Sequence, residues 1–347
     1  MDEGDCESPP GDLEETKCEP MKNVNLEEKK IELFKIAKNT EPNQRNNLIK
    51  LGLELRVLSD EDVKTLVLAK NEKENTALHC AAKAGNLQTC KILKARGADL
   101  NATGENGMKV LPFAARYGDG KRAEDVWKCM EWIVNELRKS EPDLKNHRKS
   151  MKGKQSKSIE EGFKMLPKTP ERKGEILFDA QDRDKYNFNI LHHAIQNTNW
   201  AKNPMVVQRL IETGKFPITD TDHQGNTCLH LAAQFDKQGD DKIFDTIVES
   251  KQEVVVSEIT KCIKKRNDRG MTPIHIACAV GNEETLKDLI KVCIENKIDV
   301  AKIINSHDKN GLYPLCHAIT NKNHEMVKML LGEGSNVVQD TMLRAAR

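Results

Sequence analysis

The chain has 347 residues, of which 37% are hydrophobic, 31% charged and 4% aromatic, so it carries slightly less apolar material than a compact globule and too much for disorder throughout. Its 55 Lys and Arg residues against 54 Asp and Glu residues leave a net charge of +1, which excludes a chain built as a whole to coat nucleic acid. No apolar run approaches the roughly 20 residues that cross a bilayer, and the acidic start is unlike a signal peptide. We therefore expect a cytoplasmic location and reduced cysteines.

An acidic segment opens the chain and leads into a degenerate helical unit. Residues 1–26 predict a disordered tail, and the first twenty hold eight acids and one Lys, a net charge of −7. Residues 27–70 predict an N-terminal capping unit, because apolar residues recur at helical spacing in 33–37 and 47–51 among charged outer positions.

After this cap, one pattern recurs six times: a turn, a helix start, and a second helix with apolar periodicity. The helix starts read NTALHCAA (75–82), MKVLPFAA (108–115), FNILHHAI (188–195), NTCLHLAA (226–233), MTPIHIAC (271–278) and LYPLCHAI (312–319). The equivalent positions are His79, Pro112, His192, His230, His275 and Cys316, with spacings of 33, 80, 38, 45 and 41. A Thr at the start is suited to capping the helix, and the small Ala residues allow neighbouring helices to approach closely.

These residues resemble the ankyrin repeat, whose unit of about 33 residues carries a Thr-Pro-Leu-His-x-Ala signature. The resemblance covers roughly residues 27–347 and implies an all-α solenoid of helix-turn-helix units with hairpin loops. It also implies a non-catalytic scaffold that holds protein or peptide partners on its concave face and hairpin tips. The four signature histidines, His79, His192, His230 and His275, are expected to hydrogen-bond turn backbone between repeats.

Long spacings predict that extra residues leave the stack as loops. We expect repeats over 71–137, a basic insertion loop over 138–180, and further repeats over 181–347 with the last one truncated. Between positions 138 and 173 the insertion holds 12 Lys or Arg and 5 Asp or Glu, a net charge of +7. Its charge suits a polyanion or an anionic lipid, although a solvated loop has the same composition.

The hairpin tips are the expected partner-binding sites, because their polar side chains are exposed on a rigid scaffold. The tip residues are Glu105, Asn106, Asp222, His223, Gln224, Asp268, Arg269, Asp308, Lys309 and Asn310.

No pattern in the chain predicts a catalytic, cofactor or metal site. The neighbouring His and Cys residues fall at equivalent repeat positions and lack the paired spacing of a zinc site. The segment 118–121 lacks the full spacing of a phosphate-binding loop. Cys262 is the candidate reactive thiol, because Lys261, Lys264 and Lys265 beside it are expected to lower its pKa; the alternative is a packing residue of an outer helix.

A narrower resemblance is to the amino-terminal region of ankyrin-type transient receptor potential (TRPA) channels. It is based on the irregular repeat lengths, the copy at 189–196 followed by an expanded turn, the many cysteines and an array that breaks off. It implies a cation channel, membrane association through downstream sequence, and a homotetramer. The alternatives are a soluble I-kappa-B-like inhibitor or adaptor, and a regulatory segment of a multidomain enzyme.

The two charged segments predict an intramolecular contact. Opposed charges of −7 and +7 attract over the screening length of roughly 10 Å at 0.1 M salt. Deleting residues 1–20 should therefore strengthen binding of a polyanion such as heparin, and more so at low salt. Titrations of the full-length and shortened chains across a salt series measure this effect, and identical affinities throughout would contradict it.

Overall fold

The computed structural model describes residues 25–38, 58–140, 183–197, 204–236, 243–248 and 253–336. Within these ranges it contains α-helices, two 3-10 turns and two isolated antiparallel bridges, with no strand or sheet. The predicted all-α fold is confirmed. Most of the predicted acidic tail, the insertion beyond Ser140 and residues 337–347 lie outside the described residues.

The described helices form two rows and a small set of additional helices. The inner row consists of α1 Leu26–Lys38, α3 Ala77–Lys83, α5 Val110–Tyr117, α7 Ile190–Ile195, α9 Cys228–Phe235, α12 Pro273–Val280 and α15 Pro314–Thr320. The outer row consists of α4 Leu87–Ala95, α6 Ala123–Ser140, α8 Met205–Glu212, α10 Ile243–Val248, α13 Glu283–Glu295 and α16 His324–Gly332. The additional helices are α2 Asp60–Leu68, α11 Glu253–Lys264 and α14 Val300–Ile304.

Each helix of a row packs against the next helix of the same row. The inner row therefore runs from α1 to α15 and the outer row from α4 to α16, which is the arrangement of a solenoid. The additional helix α2 packs on α1 and α3, α11 packs mainly on α9 and α12, and α14 lies on α12 and α13. These three helices each precede the turn of a repeat, and α11 and α14 accommodate part of the extra residues in the spacings of 45 and 41.

The inner helices α5 and α7 stack directly, although the segment from 141 to 182 separates them in the chain. Asn197 fixes this junction, because its side-chain amide donates to the carbonyl oxygens of Ala115 at 3.2 Å and Gly118 at 3.0 Å. The helix α6 extends to Ser140, three residues into the range expected for the insertion. The long spacing between the second and third signature positions thus leaves the stack continuous.

Small side chains line the contacts of the inner row, and apolar ones fix the outer row. Ala81, Ala114, Ala194, Ala232 and Ala277 are at most 1% exposed. The outer helices bury one apolar stripe each, as in Leu286, Leu289 and Cys293 of α13 or Met326 and Leu330 of α16. Small residues shorten the distance between helices, so any larger side chain in the inner row has no space to enter.

Replacing Ala232 or Ala277 with Leu should therefore destabilise the protein by roughly 1–3 kcal/mol through overpacking. Both sites are fully enclosed by neighbouring inner helices. Urea unfolding monitored by circular dichroism measures the effect, and Val280→Leu is the matched control because Val280 is 53% exposed at the end of α12. Unchanged midpoints for both alanine variants would contradict this placement.

Candidate functional site

A buried histidine connects each of four inner helices to the following turn. In α9 the backbone N–H of Thr227 donates to His230 Nδ1 at 3.2 Å, which leaves the proton of the neutral ring on Nε2. His230 Nε2 then donates to the carbonyl oxygen of Met271 at 3.0 Å, in the next repeat. One side chain thus closes the helix start and joins two repeats.

The other three histidines make the same inter-repeat contact. The Nε2 partners are the carbonyl oxygens of Met108 for His79 at 3.2 Å, Asp220 for His192 at 3.2 Å, and Ser306 for His275 at 3.0 Å. At the equivalent position of α15, the Sγ atom of Cys316 accepts the backbone N–H of Tyr313 at 3.4 Å. The cysteine therefore keeps the cap of the helix.

Burial keeps these rings neutral. Desolvation lowers the pKa of His79, His192 and His230 to about 4, against the opposing effect of the carbonyl that each ring contacts. Desolvation, followed by the electrostatic effect of nearby His317, lowers the pKa of His275 to about 3. A neutral ring is required here, because Nδ1 must accept while Nε2 donates.

The turn before each of five inner helices is held by an Asp or Asn side chain. In the turn at Asp222, Oδ1 accepts the backbone N–H groups of Gln224 and Asn226, each at 2.8 Å. Equivalent pairs of bonds are made by Asn71, Asp184, Asn267 and Asp308. Each turn is therefore stabilised by hydrogen bonds within itself, independently of its contacts with neighbouring repeats.

Successive hairpin tips are joined by backbone hydrogen bonds. Asp268 N donates to Gln224 O at 2.9 Å, and Lys309 N donates to Arg269 O at 2.9 Å. Gly270 shows how closely the tips approach: its φ is +75°, and a Cβ atom there would lie 2.9 Å from Lys309 N. A side chain at Gly270 would both strain the turn and separate the two tips.

Two of the predicted tip residues are buried and belong to the turns themselves. Asp222 is 5% exposed and Asp308 is 1% exposed, with the oxygen atoms of Asp308 bonded to two backbone N–H groups and to His317. The expectation that these two carboxylates face a partner is corrected, because their oxygen atoms accept backbone N–H groups within their own turns. The other tip residues are partly or fully exposed: Glu105, Asn106, His223, Gln224, Asp268, Arg269, Lys309 and Asn310.

A second surface lies at the carboxyl ends of the inner helices. In each repeat, at least one of the residues four and five positions after the histidine-equivalent site is exposed or half-buried. We call this set the inner-helix row: Lys83, Arg116, Tyr117, Gln196, Gln234, Phe235, Val280 and Thr320. The sequence did not single out these positions, although each lies four or five residues after the signature site.

Cations and aromatic rings alternate along the inner-helix row. The Arg116 guanidinium lies 5.9 Å from the centre of the Tyr117 ring and 5.9 Å from that of Phe235. Lys83 lies 5.7 Å above the same Tyr117 ring, and Arg116 also donates to Gln196. These contacts fix partly exposed rings across four repeats, from Lys83 in the first to Phe235 in the fourth.

Cys262 has an environment opposite to that of an activated thiol. It is fully buried in α11, and its Sγ lies 3.3 Å from the carbonyl oxygen of Ile218. Desolvation raises the pKa of Cys262 to about 12, a larger effect than the stabilising charges of Lys265 and Lys261. The neighbouring cations do lower this pKa, as expected, but burial outweighs them because the thiol points into the core while the ammonium groups remain in solvent, so Cys262 is not an activated thiol.

Metal binding and membrane insertion find no support in the described parts of the chain. Among those residues, no group of three or more His, Cys, Asp or Glu side chains is arranged to hold a metal ion. The helices described there are also too short or too polar to cross a membrane.

Comparison with family models agrees with this architecture. The family described as "Ankyrin repeats (3 copies)" matches residues 52–145 and 252–341, and "Ankyrin repeats (many copies)" matches residues 191–240. Because the first of these covers more than half of the sequence, the chain belongs to the ankyrin-repeat family. Ankyrin repeats imply a protein-interaction scaffold.

One curated relative is the B-cell lymphoma 3 protein homolog of Mus musculus. It is 29% identical over 134 residues, which make up 39% of this chain and 26% of the relative. The chain therefore matches about a quarter of that protein's length, a similarity confined to part of each molecule.

The buried histidines predict a loss of stability in mild acid. An unfolded His has a pKa near 6.5, whereas the folded rings have a pKa of about 3 to 4. Between pH 7.5 and 5.5 the unfolded chain therefore binds protons that the folded rings do not bind. This lowers the free energy of unfolding by about 1.3 kcal/mol per histidine. Stability is therefore present above pH 6.5 and falls below it. Urea midpoints across this range measure the slope.

The variant His230→Gln separates titration from the hydrogen bond. Gln keeps an acceptor for the Thr227 N–H group but cannot gain a proton, so this variant should lose stability at pH 7.5 and also lose about one quarter of the histidine-dependent pH slope. A slope equal to that of the unaltered chain would contradict the assignment of a neutral His230.

Proposed function

We propose that this protein is a non-catalytic scaffold that binds a protein partner across the inner-helix row and the exposed hairpin tips. The observation that carries the proposal is the connected set of Lys83, Arg116, Tyr117 and Phe235, whose rings and cations span four repeats while remaining partly exposed. Tyr and Arg are enriched where binding energy concentrates in protein interfaces.

Rigidity favours binding at this surface. The side chains of the row are attached to helices that the histidine contacts and the small inner residues hold in a stack, so a partner meets groups that are already ordered. Less conformational entropy is then lost on association, and more of the contact energy appears as affinity. Val280 extends the row with an apolar side chain that is 53% exposed.

Among the specific forms of such a scaffold, we favour the soluble I-kappa-B-like inhibitor or adaptor acting in the cytoplasm. The partial similarity to the B-cell lymphoma 3 protein homolog supports a binding module of this kind. The TRPA-channel form, with its membrane association and homotetramer, is supported by none of the matches described above. None of these matches supports a regulatory segment of a multidomain enzyme either. The buried cysteines do not distinguish between the two alternatives.

Surface variants of the inner-helix row test the proposal. Lys83→Glu combined with Val280→Glu changes two exposed residues at opposite ends of the row, so folding should be unaffected. We expect a partner that co-purifies with the tagged full chain to be lost by roughly tenfold in quantitative pull-downs. The matched control is Lys291→Glu with Ile294→Glu, which alters an exposed Lys and an exposed apolar residue of the outer helix α13.

The control distinguishes recognition from a general effect of added negative charge. Retention of the partner by the control and its loss by the row variant support the proposal. Equal retention by both variants, with unchanged unfolding midpoints, would contradict binding at the inner-helix row.

A further inference from the structure

The tips of the last two described repeats enclose an open cavity of about 610 Å³. We call it the tip groove; its lining consists of Arg266, Asn267, Gly270, His307, Asp308, Lys309, Asn310 and Gly311. Its two walls are the turns that the Lys309–Arg269 backbone bond joins, so the groove has a fixed width. Its lining residues are polar or charged side chains and glycines.

The Arg266 side chain is held in place at this groove. Its Nε atom donates to the carbonyl oxygen of Gly270 at 2.8 Å, and its Nη2 atom donates to the carbonyl oxygen of His307. These two acceptors come from adjacent repeats. A guanidinium has five N–H groups, so three remain for an external acceptor, and the exposed side chain presents them in a fixed orientation.

Further exposed cations lie close to Arg266 in the sequence and on the two tips. Lys264, Lys265, Arg269 and Lys309 are exposed, and none of them forms an ion pair with a carboxylate in the described ranges. Of the two acids at these tips, Asp308 is buried in its turn and Asp268 is exposed. Arg266 and Lys309 therefore line the groove beside one buried acid, Asp308, whose oxygen atoms are bonded to turn N–H groups and to His317.

We propose that the tip groove binds an acidic peptide segment of the partner, with Arg266 donating two hydrogen bonds to one Asp or Glu carboxylate. This inference rests on the proposed scaffold function and assigns the chemistry of one part of its surface. A planar guanidinium matches a carboxylate in geometry, and its anchoring reduces the entropy lost on binding. Arg269 and Lys309 then attract the flanking carboxylates of the same segment.

A peptide fits these observations better than a nucleic acid does. The cations cluster at two adjacent tips around one cavity, whereas binding along a phosphate backbone needs charge spread along a track. The net charge of +1 for the whole chain also limits nonspecific attraction of polyanions. Recognition at the groove therefore depends on local geometry together with charge.

The test uses the full chain and a fluorescein-labelled peptide of alternating Glu and Asp, with its Gln and Asn counterpart as the neutral probe. Fluorescence anisotropy at about 50 mM and about 200 mM salt measures both affinities. We expect the acidic probe to bind at least about tenfold more tightly than the neutral one. Arg269→Glu with Lys309→Glu should weaken it by about tenfold or more.

A control with the same change in net charge separates the groove from a bulk effect. Lys73→Glu with Lys91→Glu changes two exposed lysines of the first repeat and should alter affinity by less than about twofold. Arg266→Lys preserves the charge but loses the planar pair of N–H donors, and it should weaken binding of the acidic peptide by about fivefold. Because Arg266→Lys also loses a contact between repeats, its unfolding midpoint is measured in the same experiment. If that midpoint falls, the result for Arg269→Glu with Lys309→Glu decides whether the groove binds the peptide.

Four outcomes would overturn the proposal. They are equal weakening by the tip variant and the control, undiminished binding by the tip variant, binding of a phosphoserine or oligonucleotide probe but not of the acidic peptide, and binding that appears only after deletion of residues 1–20. The last result would mean that the chain's own acidic tail keeps the peptide from binding to the intact protein. Loss of the cellular partner in the inner-helix-row variant is measured independently, so the scaffold function can stand when the groove proposal fails.

Discussion

The buried, neutral imidazole at the start of an inner helix is the interaction on which the stack depends. It accepts the cap N–H group on one side and donates to a carbonyl of the next repeat on the other, as His230 does between Thr227 and Met271. Both bonds lie in the interior, where an unmade hydrogen bond would carry its full desolvation cost. The contact is local at one end and non-local at the other, so helix capping and repeat register are formed by the same ring.

The interior of the stack contains side chains that pack, and its cysteines are among them. The eight described cysteines are buried, and burial raises the pKa of Cys262, Cys228 and Cys278, as it does for apolar surroundings in general. A thiol in a repeat core behaves as a small hydrophobic side chain. What the molecule offers to other molecules is consequently on the tips and at the helix ends, where the stack holds side chains without enclosing them.

Charge is distributed along the solenoid in a way that its overall balance conceals. Cations gather at the tips of the last two described repeats, while rings and cations alternate on the inner-helix row nearer the N-terminus. The two surfaces have different chemistry, one polar and electropositive and the other aromatic. A linear stack separates such surfaces along its length, and this separation allows one partner to be contacted at distant points.

The amino-acid sequence by itself determined the repeat class, the positions of the inner helices and their histidines, because capping residues and helical periodicity are local signals. It did not reveal that Asp222 and Asp308 are buried and bonded within their own turns, since the sequence of a polar loop does not distinguish an exposed carboxylate from a buried one. Tertiary structure alone decided that Cys262 points inward despite its cationic neighbours in sequence. It also brought together Arg116 and Phe235, or Arg266 and His307, which are 119 and 41 positions apart, because only stacking converts equal positions in separate repeats into one continuous surface.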